Sequence, residues 1–327
     1  MSQEVLAPGQ IATLAEREIP RIVPLRREAV FAPRAARLRA LAASNPIAGY
    51  LELMATLVQA QQDVLAALDD GELRRLQHDA MAQQPAAARE AGLPPLHAGA
   101  LRRDARWCEL LRELVARVAR VVDAPEIVGA VLARLAHAPD DWLDAQADVL
   151  LGVPSASAEV DAAAAPFVMA GLQLYWVALA LQFDSNALRP MADALGLCPC
   201  CGSAPVASVV HASAPHASYR YLACGLCGLQ WHYVRVQCSG CGAMGRDIAY
   251  QAVTRADAGT EDAKAAAVRA ETCEQCKGYR KILYAEKDPA VEAQADDLAS
   301  LSLDLLLADL GYARLGRPPL LWQADAE

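Results

Sequence analysis

Four Cys-x-x-Cys pairs within about 80 residues constrain this chain more than any other feature. The pairs are Cys198 with Cys201, Cys224 with Cys227, Cys238 with Cys241, and Cys273 with Cys276. Gly follows three of the pairs directly, and Lys277 precedes Gly278 after the fourth. A tight Cys-x-x-Cys turn, or knuckle, presents two thiolates to one metal ion, and a following Gly adopts a left-handed conformation without steric cost. Two knuckles complete one tetrahedral site, so the spacing predicts two closed sites with these eight cysteines as ligands.

The knuckles can be combined in two ways. Joining neighbours gives one site from Cys198, Cys201, Cys224 and Cys227, and another from Cys238, Cys241, Cys273 and Cys276. An interleaved arrangement satisfies the same count. We favour the pairing of consecutive knuckles. Each long gap between two such knuckles contains two segments typical of strands, and a hairpin of two strands would bring the second knuckle back to the first.

Spacing alone does not distinguish iron from zinc, since a tetrahedral tetrathiolate suits both. A redox dithiol of the thioredoxin type would lie between a strand and a helix, whereas the flanks here are typical of hairpins. An iron–sulfur cluster would group three cysteines more closely. Cys200, inside the first knuckle, is interpreted as a small residue that binds no metal, and the isolated Cys108 as a core residue.

Charge and hydropathy argue against several classes of function. The chain has 30 Lys and Arg against 39 Asp and Glu, and this net charge of -9 argues against a nucleic-acid or anionic membrane partner. The N-terminus has no apolar signal segment, so we expect a cytoplasmic protein with reduced thiols. Residues 162–183 contain no charged side chain, but Gln173, Gln182 and acidic flanks favour a buried helix over a membrane span.

Most of the first 190 residues have helical periodicity. One amphipathic helix is predicted to start at Asn45-Pro46 and to end near Asp69, another to start at Asp104, and a third at Asp123-Ala-Pro125. After Met191 the pattern changes to short apolar runs around the cysteines. These predict strands at 206–211, 219–223, 230–236, 248–253 and 279–284.

A final helix is predicted to open at Asp288-Pro289, with Asp288 as its N-cap, and to stop at Gly311. Asp296 and Asp297 fall within this helix, where we expect a solvated face. The predicted organisation is a helical domain at 1–190, cysteine modules at 191–235 and 236–286, and a C-terminal helix with its tail at 287–327.

Several sequence blocks, in order, resemble the formate dehydrogenase accessory protein FdhE family. The similarity is carried by NPIAGYLELMATLVQAQ, APFVMAGLQLYWVALA, CPCCGSAPVASVV, RYLACGLCGLQWHYVRVQCSGCG and AETCEQCKGYRKILYAEKDPAVEAQADDLASLSLD. It extends from about Pro20 to Tyr312. All eight knuckle cysteines match the family's positions, whereas Cys200 is not a ligand under this comparison.

The resemblance implies a cytoplasmic, non-enzymatic maturation factor that contacts the catalytic subunit of respiratory formate dehydrogenase. It also implies rubredoxin-like iron at both sites, with zinc as the alternative occupant. The expected fold class is multidomain α+β: an all-helical N-terminal domain, two small rubredoxin-like or zinc-ribbon-like β modules, and a C-terminal helix. A nucleic-acid-binding zinc ribbon and a dithiol or iron redox protein are the alternative functions. The sequence does not define the oligomeric state.

Overall fold

The computed structural model describes residues 19–123, 125–153, 156, 158–184, 188, 196–253 and 264–321. Its helices are α1 (Ala32–Ala42), α2 (Ala48–Ala67), α3 (Asp70–Ala82), α4 (Ala86–Glu90), α5 (Arg106–Val121), α6 (Glu126–His137), α7 (Asp140–Leu150), α8 (Ala165–Ala180), α9 (Ala293–Ala299) and α10 (Leu301–Asp309). Its strands are β1 (Ile22–Val23), β2 (Pro205–Val210), β3 (Arg220–Cys224), β4 (Gln230–His232), β5 (Ile248–Gln251), β6 (Val268–Cys273), β7 (Gly278–Tyr284) and β8 (Ala313–Arg314). The predicted α+β fold class is confirmed.

Aspartate side chains bind N–H groups at the starts of two helices, α3 and α5. Asp69 accepts a hydrogen bond from the Glu72 N–H at 2.8 Å and so caps α3, which follows the predicted end of α2. Asp104 accepts from the Arg106 N–H at 2.9 Å at the start of α5. The apolar stripe of α5 is buried at each predicted position, so periodicity identified this helix and its inner face.

The uncharged segment at 162–183 forms α8, a helix buried on almost every side. Of its 16 residues, only Met169 is partly exposed. Helices α2, α3, α5 and α7 pack around it. The predicted buried helix is therefore confirmed, and within the described ranges no helix has the length and apolar character needed to cross a bilayer.

The described strands form one continuous sheet of eight strands. Their order is β1-β4-β3-β2-β7-β6-β5, and β8 pairs with β7. The two predicted cysteine modules meet where β2 runs parallel to β7, with Val209 opposite Leu283. The predicted boundary at residues 235 and 236 thus lies between parts of a shared sheet, while the predicted boundary at 190 and 191 lies outside the described residues.

Strand β6 has no counterpart in the sequence prediction. It pairs with β5 and β7 and brings Cys273 into the sheet. Its sequence, VRAETC, carries two charged residues among six, but Glu271 is buried because it pairs with the fully buried Arg220 at 2.9 Å. A partner about 50 positions away is invisible to a local hydropathy pattern.

The C-terminal helix differs from the prediction in its start and its continuity. Helix α9 begins at Ala293, where Glu292 rather than Asp288 accepts hydrogen bonds from the first N–H groups, and Ser300 separates α9 from α10. Asp288 instead forms an ion pair with Arg37 at 2.7 Å. The prediction of Asp288 as the N-cap is therefore wrong.

Asp296 and Asp297 are not on a solvated face, so that expectation is also wrong. Their exposed fractions are 2% and 1%. Asp296 pairs with Arg37 on α1 at 2.6 Å, and Asp297 pairs with Arg314 at 2.5 Å and lies 3.4 Å from Lys281 Nζ. Buried carboxylates need such partners, and here the partners come from distant parts of the chain.

Candidate metal centres

The first cluster consists of Cys198, Cys201, Cys224 and Cys227, whose four Sγ atoms all lie within 4.8 Å of one another. The Sγ atoms of Cys198 and Cys227 are 3.6 Å apart, and those of Cys201 and Cys224 are 3.4 Å apart. All four side chains are buried. The structure thus combines neighbouring knuckles, as favoured from the sequence, and not interleaved ones.

The knuckle backbone explains why Gly follows the cysteines. Gly202 and Gly228 have φ values of +72° and +75°, a conformation that costs other residues steric energy. The Gly202 N–H donates to the Cys198 carbonyl at 2.8 Å, which closes the first turn. In the second turn the N–H groups of Leu226 and Cys227 donate to Cys224 Sγ at 3.3 and 3.4 Å. These bonds close the second turn around Cys224 Sγ.

The sulfur positions fit one tetrahedral metal ion. Metal–sulfur bonds of about 2.3 Å place neighbouring sulfurs of a tetrahedron about 3.8 Å apart, close to the distances within each cluster. Burial raises the pKa of the Cys198 and Cys227 thiols well above the ordinary value, because a thiolate there has no water around it. A cation among the four sulfurs would supply the missing compensation and keep them ionised.

The second cluster consists of Cys238, Cys241, Cys273 and Cys276 and has the same internal geometry. The Sγ atoms of Cys238 and Cys276 are 3.7 Å apart, and those of Cys241 and Cys273 are 3.6 Å apart. Its environment is different, because Cys241 and Cys276 are exposed while Cys238 and Cys273 are buried. The N–H of Ala243 lowers the pKa of Cys241, which favours the thiolate that a metal requires.

Lys277 occupies the position that Gly occupies in the other three knuckles. Its φ is +54°, although it carries a side chain. The following Gly278 is also required, because a Cβ there would lie 2.7 Å from a Leu315 side-chain atom. The departure from the Gly pattern noted in the sequence therefore changes the residue but not the shape of the turn.

The helical region holds the first cluster through its backbone. The N–H groups of Leu96 and Ala98 donate to the carbonyls of Cys200 and Cys201, both at 2.9 Å. Trp176 on α8 donates from Nε1 to the Leu96 carbonyl at 2.9 Å and so fixes the loop that makes these contacts. The first knuckle is thus an integral part of the main core.

Buried glutamines connect the second knuckle to three helices. Gln173 on α8 donates from Nε2 to the Gly225 carbonyl at 2.6 Å and to Gln294 Oε1 at 2.7 Å. Gln294 on α9 also donates to Gly225, at 3.1 Å, and Gln61 on α2 donates to Gln173 Oε1 at 3.2 Å. One signal of this role is visible in the sequence, because Gln173 is a polar residue within a largely apolar run.

A buried arginine side chain lies close to the second cluster. Arg280 on β7 is 4% exposed and donates from Nε to Ser239 Oγ, next to Cys238, at 2.7 Å. Among the described residues no carboxylate lies within ion-pair distance of it, and burial with the neighbouring Arg220 and Arg314 lowers its pKa to about 9. A divalent ion with four thiolates carries a net charge of about -2, which would stabilise this guanidinium. The second cluster thus also fits a metal.

The two remaining cysteines are not members of either four-cysteine cluster. Cys200 is fully buried beside the first cluster, and Cys108 is 1% exposed within the core of α5. Burial raises the pKa of Cys108 to about 12, so its thiol stays protonated.

The described fold and sites define a class: a mostly helical protein joined to a mixed sheet that carries two tetracysteine clusters. Family models of FdhE match three consecutive regions: the N-terminal region at residues 19–193, the central domain at 197–235 and the C-terminal domain at 236–321. The chain belongs to the FdhE family.

Individual relatives agree with this assignment along the whole chain. A "Protein FdhE homolog" from Yersinia enterocolitica is 38% identical over 330 residues, covering 99% of this chain and all of the relative. The homolog from Cronobacter sakazakii is 37% identical and covers 100% of both. The crystal structure of the FdhE protein from Pseudomonas aeruginosa superposes with a TM-score of 0.73 at 35% identity, covering 92% of this chain and 99% of that one.

Proposed function

We propose that this protein is an accessory factor for the maturation of respiratory formate dehydrogenase and binds its catalytic subunit in the cytoplasm. The observation that carries the proposal is the match of all three FdhE regions in order along one chain. The central region contains the complete first cluster, and the C-terminal region contains the complete second cluster. Both clusters therefore lie within regions that match FdhE models.

We propose that both clusters bind iron, with zinc as the alternative, and that the eight knuckle cysteines are the ligands. Four sulfurs at each site leave no open position for a substrate, so the sites are proposed to organise the protein rather than to catalyse a reaction. Tetrathiolate iron can gain and lose one electron when bound. The chain's own contribution is to hold the sulfurs and, at the first cluster, to exclude water.

Two alternative functions receive less support from the described residues. A nucleic-acid-binding ribbon needs an exposed basic surface, whereas Arg220 on β3 is fully buried and paired with Glu271. A catalytic dithiol would need a Cys-x-x-Cys pair outside a metal site, whereas all four pairs belong to the two clusters.

Anaerobic affinity capture from the native cells tests the proposed function. Wild-type protein is expected to enrich the catalytic subunit of formate dehydrogenase, identified by mass spectrometry. Cys224→Ser/Cys227→Ser tests the first cluster, and Cys241→Ser/Cys276→Ser tests the second through its exposed sulfurs. Cys108→Ala is the matched control, since it removes a thiol that belongs to neither cluster.

The proposal predicts capture by the wild type and the Cys108→Ala control, and weaker capture by a cluster variant that still has native circular dichroism. Enrichment of nucleic-acid-binding machinery alone would favour the zinc-ribbon alternative. No enrichment of the catalytic subunit over a tag-only control would contradict the proposed partner.

A further inference from the structure

The two clusters share one geometry but differ in access to their sulfurs. In the first cluster all four cysteines are buried, whereas in the second each knuckle contributes one buried and one exposed cysteine. The exposed members, Cys241 and Cys276, are the second cysteine of their pairs. The second cluster therefore has an open edge formed by both knuckles.

The first cluster is enclosed by packing against both of its knuckles. A Cβ on Gly202 would lie 2.6 Å from His97, and one on Gly228 would lie 3.3 Å from Val30. A groove of about 640 Å³ reaches the backbone of these knuckles at Gly202 and Gly225, yet none of the four cysteines lines it. Solvent in the groove thus meets the turns but not the sulfurs.

Apolar residues pack against the buried half of the second cluster. Leu315 packs against Gly240 and Gly278 and lies against the small apolar group formed by Cys238, Ala243 and Cys273. The residues near the exposed Cys276 are themselves exposed: Lys277 and Glu274 form a surface ion pair, with side chains 57% and 46% exposed. Surface ion pairs of this kind break and re-form readily in water.

We propose that the second cluster is an exchangeable metal site, at which thiol or chelating ligands replace Cys241 and Cys276, while the first cluster holds a permanent structural ion. This inference rests on the proposed metal occupancy of both clusters. Ligand substitution at a filled tetrahedral site requires an incoming donor atom to approach the metal beside an existing ligand. Only the open edge of the second cluster permits that approach without unfolding.

The exchange is a ligand substitution and needs no oxidant or reductant. The incoming donor, a thiolate or an imine nitrogen, contributes an electron pair to the metal while the bond from the metal to Cys276 Sγ breaks. The released thiolate would take a proton from water, and a second substitution at Cys241 would leave the ion bound to Cys238, Cys273 and two incoming donors. Two further substitutions would replace Cys238 and Cys273, whose thiolates would be protonated in turn, and the ion would leave bound to the incoming ligands. Cys238 and Cys273 are buried, so they hold the ion until the exposed pair has been replaced.

The experiment uses full-length protein loaded anaerobically with two equivalents of zinc, a probe without redox chemistry. Occupancy is first measured by elemental analysis, and the chelator 4-(2-pyridylazo)resorcinol then reports zinc release by its colour. We expect one equivalent to leave at least about 100-fold faster than the other, equal to a barrier difference of about 2.7 kcal/mol. N-ethylmaleimide added during the fast phase is expected to label Cys241 and Cys276 first.

Variants show which cluster releases zinc in the fast phase and which releases it in the slow phase. Cys241→Ser/Cys276→Ser is expected to lose the fast phase and keep the slow one, while Cys108→Ala keeps both. A single phase for both ions, or early labelling of first-cluster cysteines, would overturn the inference while leaving the metal sites in place. Protein that binds no zinc and no iron would instead refute the proposed metal occupancy, and this inference with it.

Discussion

Replacing Gln173 with Leu tests whether the buried amide contacts bind the helical region to the first cluster. Gln173 is fully buried, and its Nε2 donates hydrogen bonds to both the Gly225 carbonyl and Gln294 Oε1. Leu has a similar volume, so the substitution removes the hydrogen bonds with little change in packing. Gly225 lies between Cys224 and Cys227, so the effect should reach the metal site.

The expected loss of stability follows from the hydrogen bonds that each partner of Gln173 loses. The Gly225 carbonyl keeps its bond from Gln294 at 3.1 Å, and Gln61 Nε2 keeps its bond to the Ala170 carbonyl at 2.8 Å. Gln294 Oε1 loses the donor at 2.7 Å and is left buried. One buried acceptor without a partner costs about 1–3 kcal/mol, so we expect Gln173→Leu to lower the free energy of unfolding by about 2 kcal/mol.

The assay is urea unfolding of metal-loaded protein under anaerobic conditions, followed by circular dichroism. Gln84→Leu is the matched control: Gln84 is 7% exposed, but its hydrogen bond to the Pro94 carbonyl is 3.5 Å long. The control is expected to cost less than about 0.5 kcal/mol, because so long a bond contributes little. Equal stability of the two variants would refute the argument that the glutamine contacts hold this knuckle.

Three further predictions follow from other parts of the structure. Lys281→Met should lower the free energy of unfolding by about 1.5–3 kcal/mol in the same urea assay, because it removes a fully buried ammonium 2.6 Å from Asp304, while Arg314 still pairs with that carboxylate at 2.8 Å. Burial lowers the pKa of His216 and His232 below the ordinary 6.5, so the unfolded chain protonates first and stability falls as pH drops below about 6.5. His216→Gln/His232→Gln should reduce this loss between pH 7.5 and 5.5, and an unchanged pH dependence would contradict the assignment. Lys277→Gly should raise the Tm by about 2 °C, because Gly adopts φ of +54° without strain; a lower Tm would contradict this.

Local patterns were enough to predict the features that depend on nearby residues. The Cys-x-x-Cys spacing identified both clusters, because a knuckle is a turn of a few residues with its Gly at a fixed offset. The periodicity around Trp107 identified α5, and the absence of charge identified α8 as buried. For these elements, the local sequence alone indicates which residues are buried and which form the clusters.

Features that depend on distant partners were not predicted. Glu271 and Asp297 resemble surface residues in the sequence, and they are buried because Arg220 and Arg314 approach them in the fold. The parallel pairing of β2 with β7 joins segments about 75 residues apart, and no local signal specifies it. The different exposure of the two clusters has the same origin, because the helical region covers one pair of knuckles and not the other.

Elemental analysis of anaerobically purified protein, combined with its absorption spectrum, tests whether both clusters bind iron. We expect two iron ions per chain with thiolate-to-iron charge transfer, and one ion per chain in Cys241→Ser/Cys276→Ser. Two zinc ions per chain, without a charge-transfer band, would support the two metal sites but show that they bind zinc rather than iron. A chain that carries no metal while all eight knuckle cysteines react freely with thiol reagents would contradict the account.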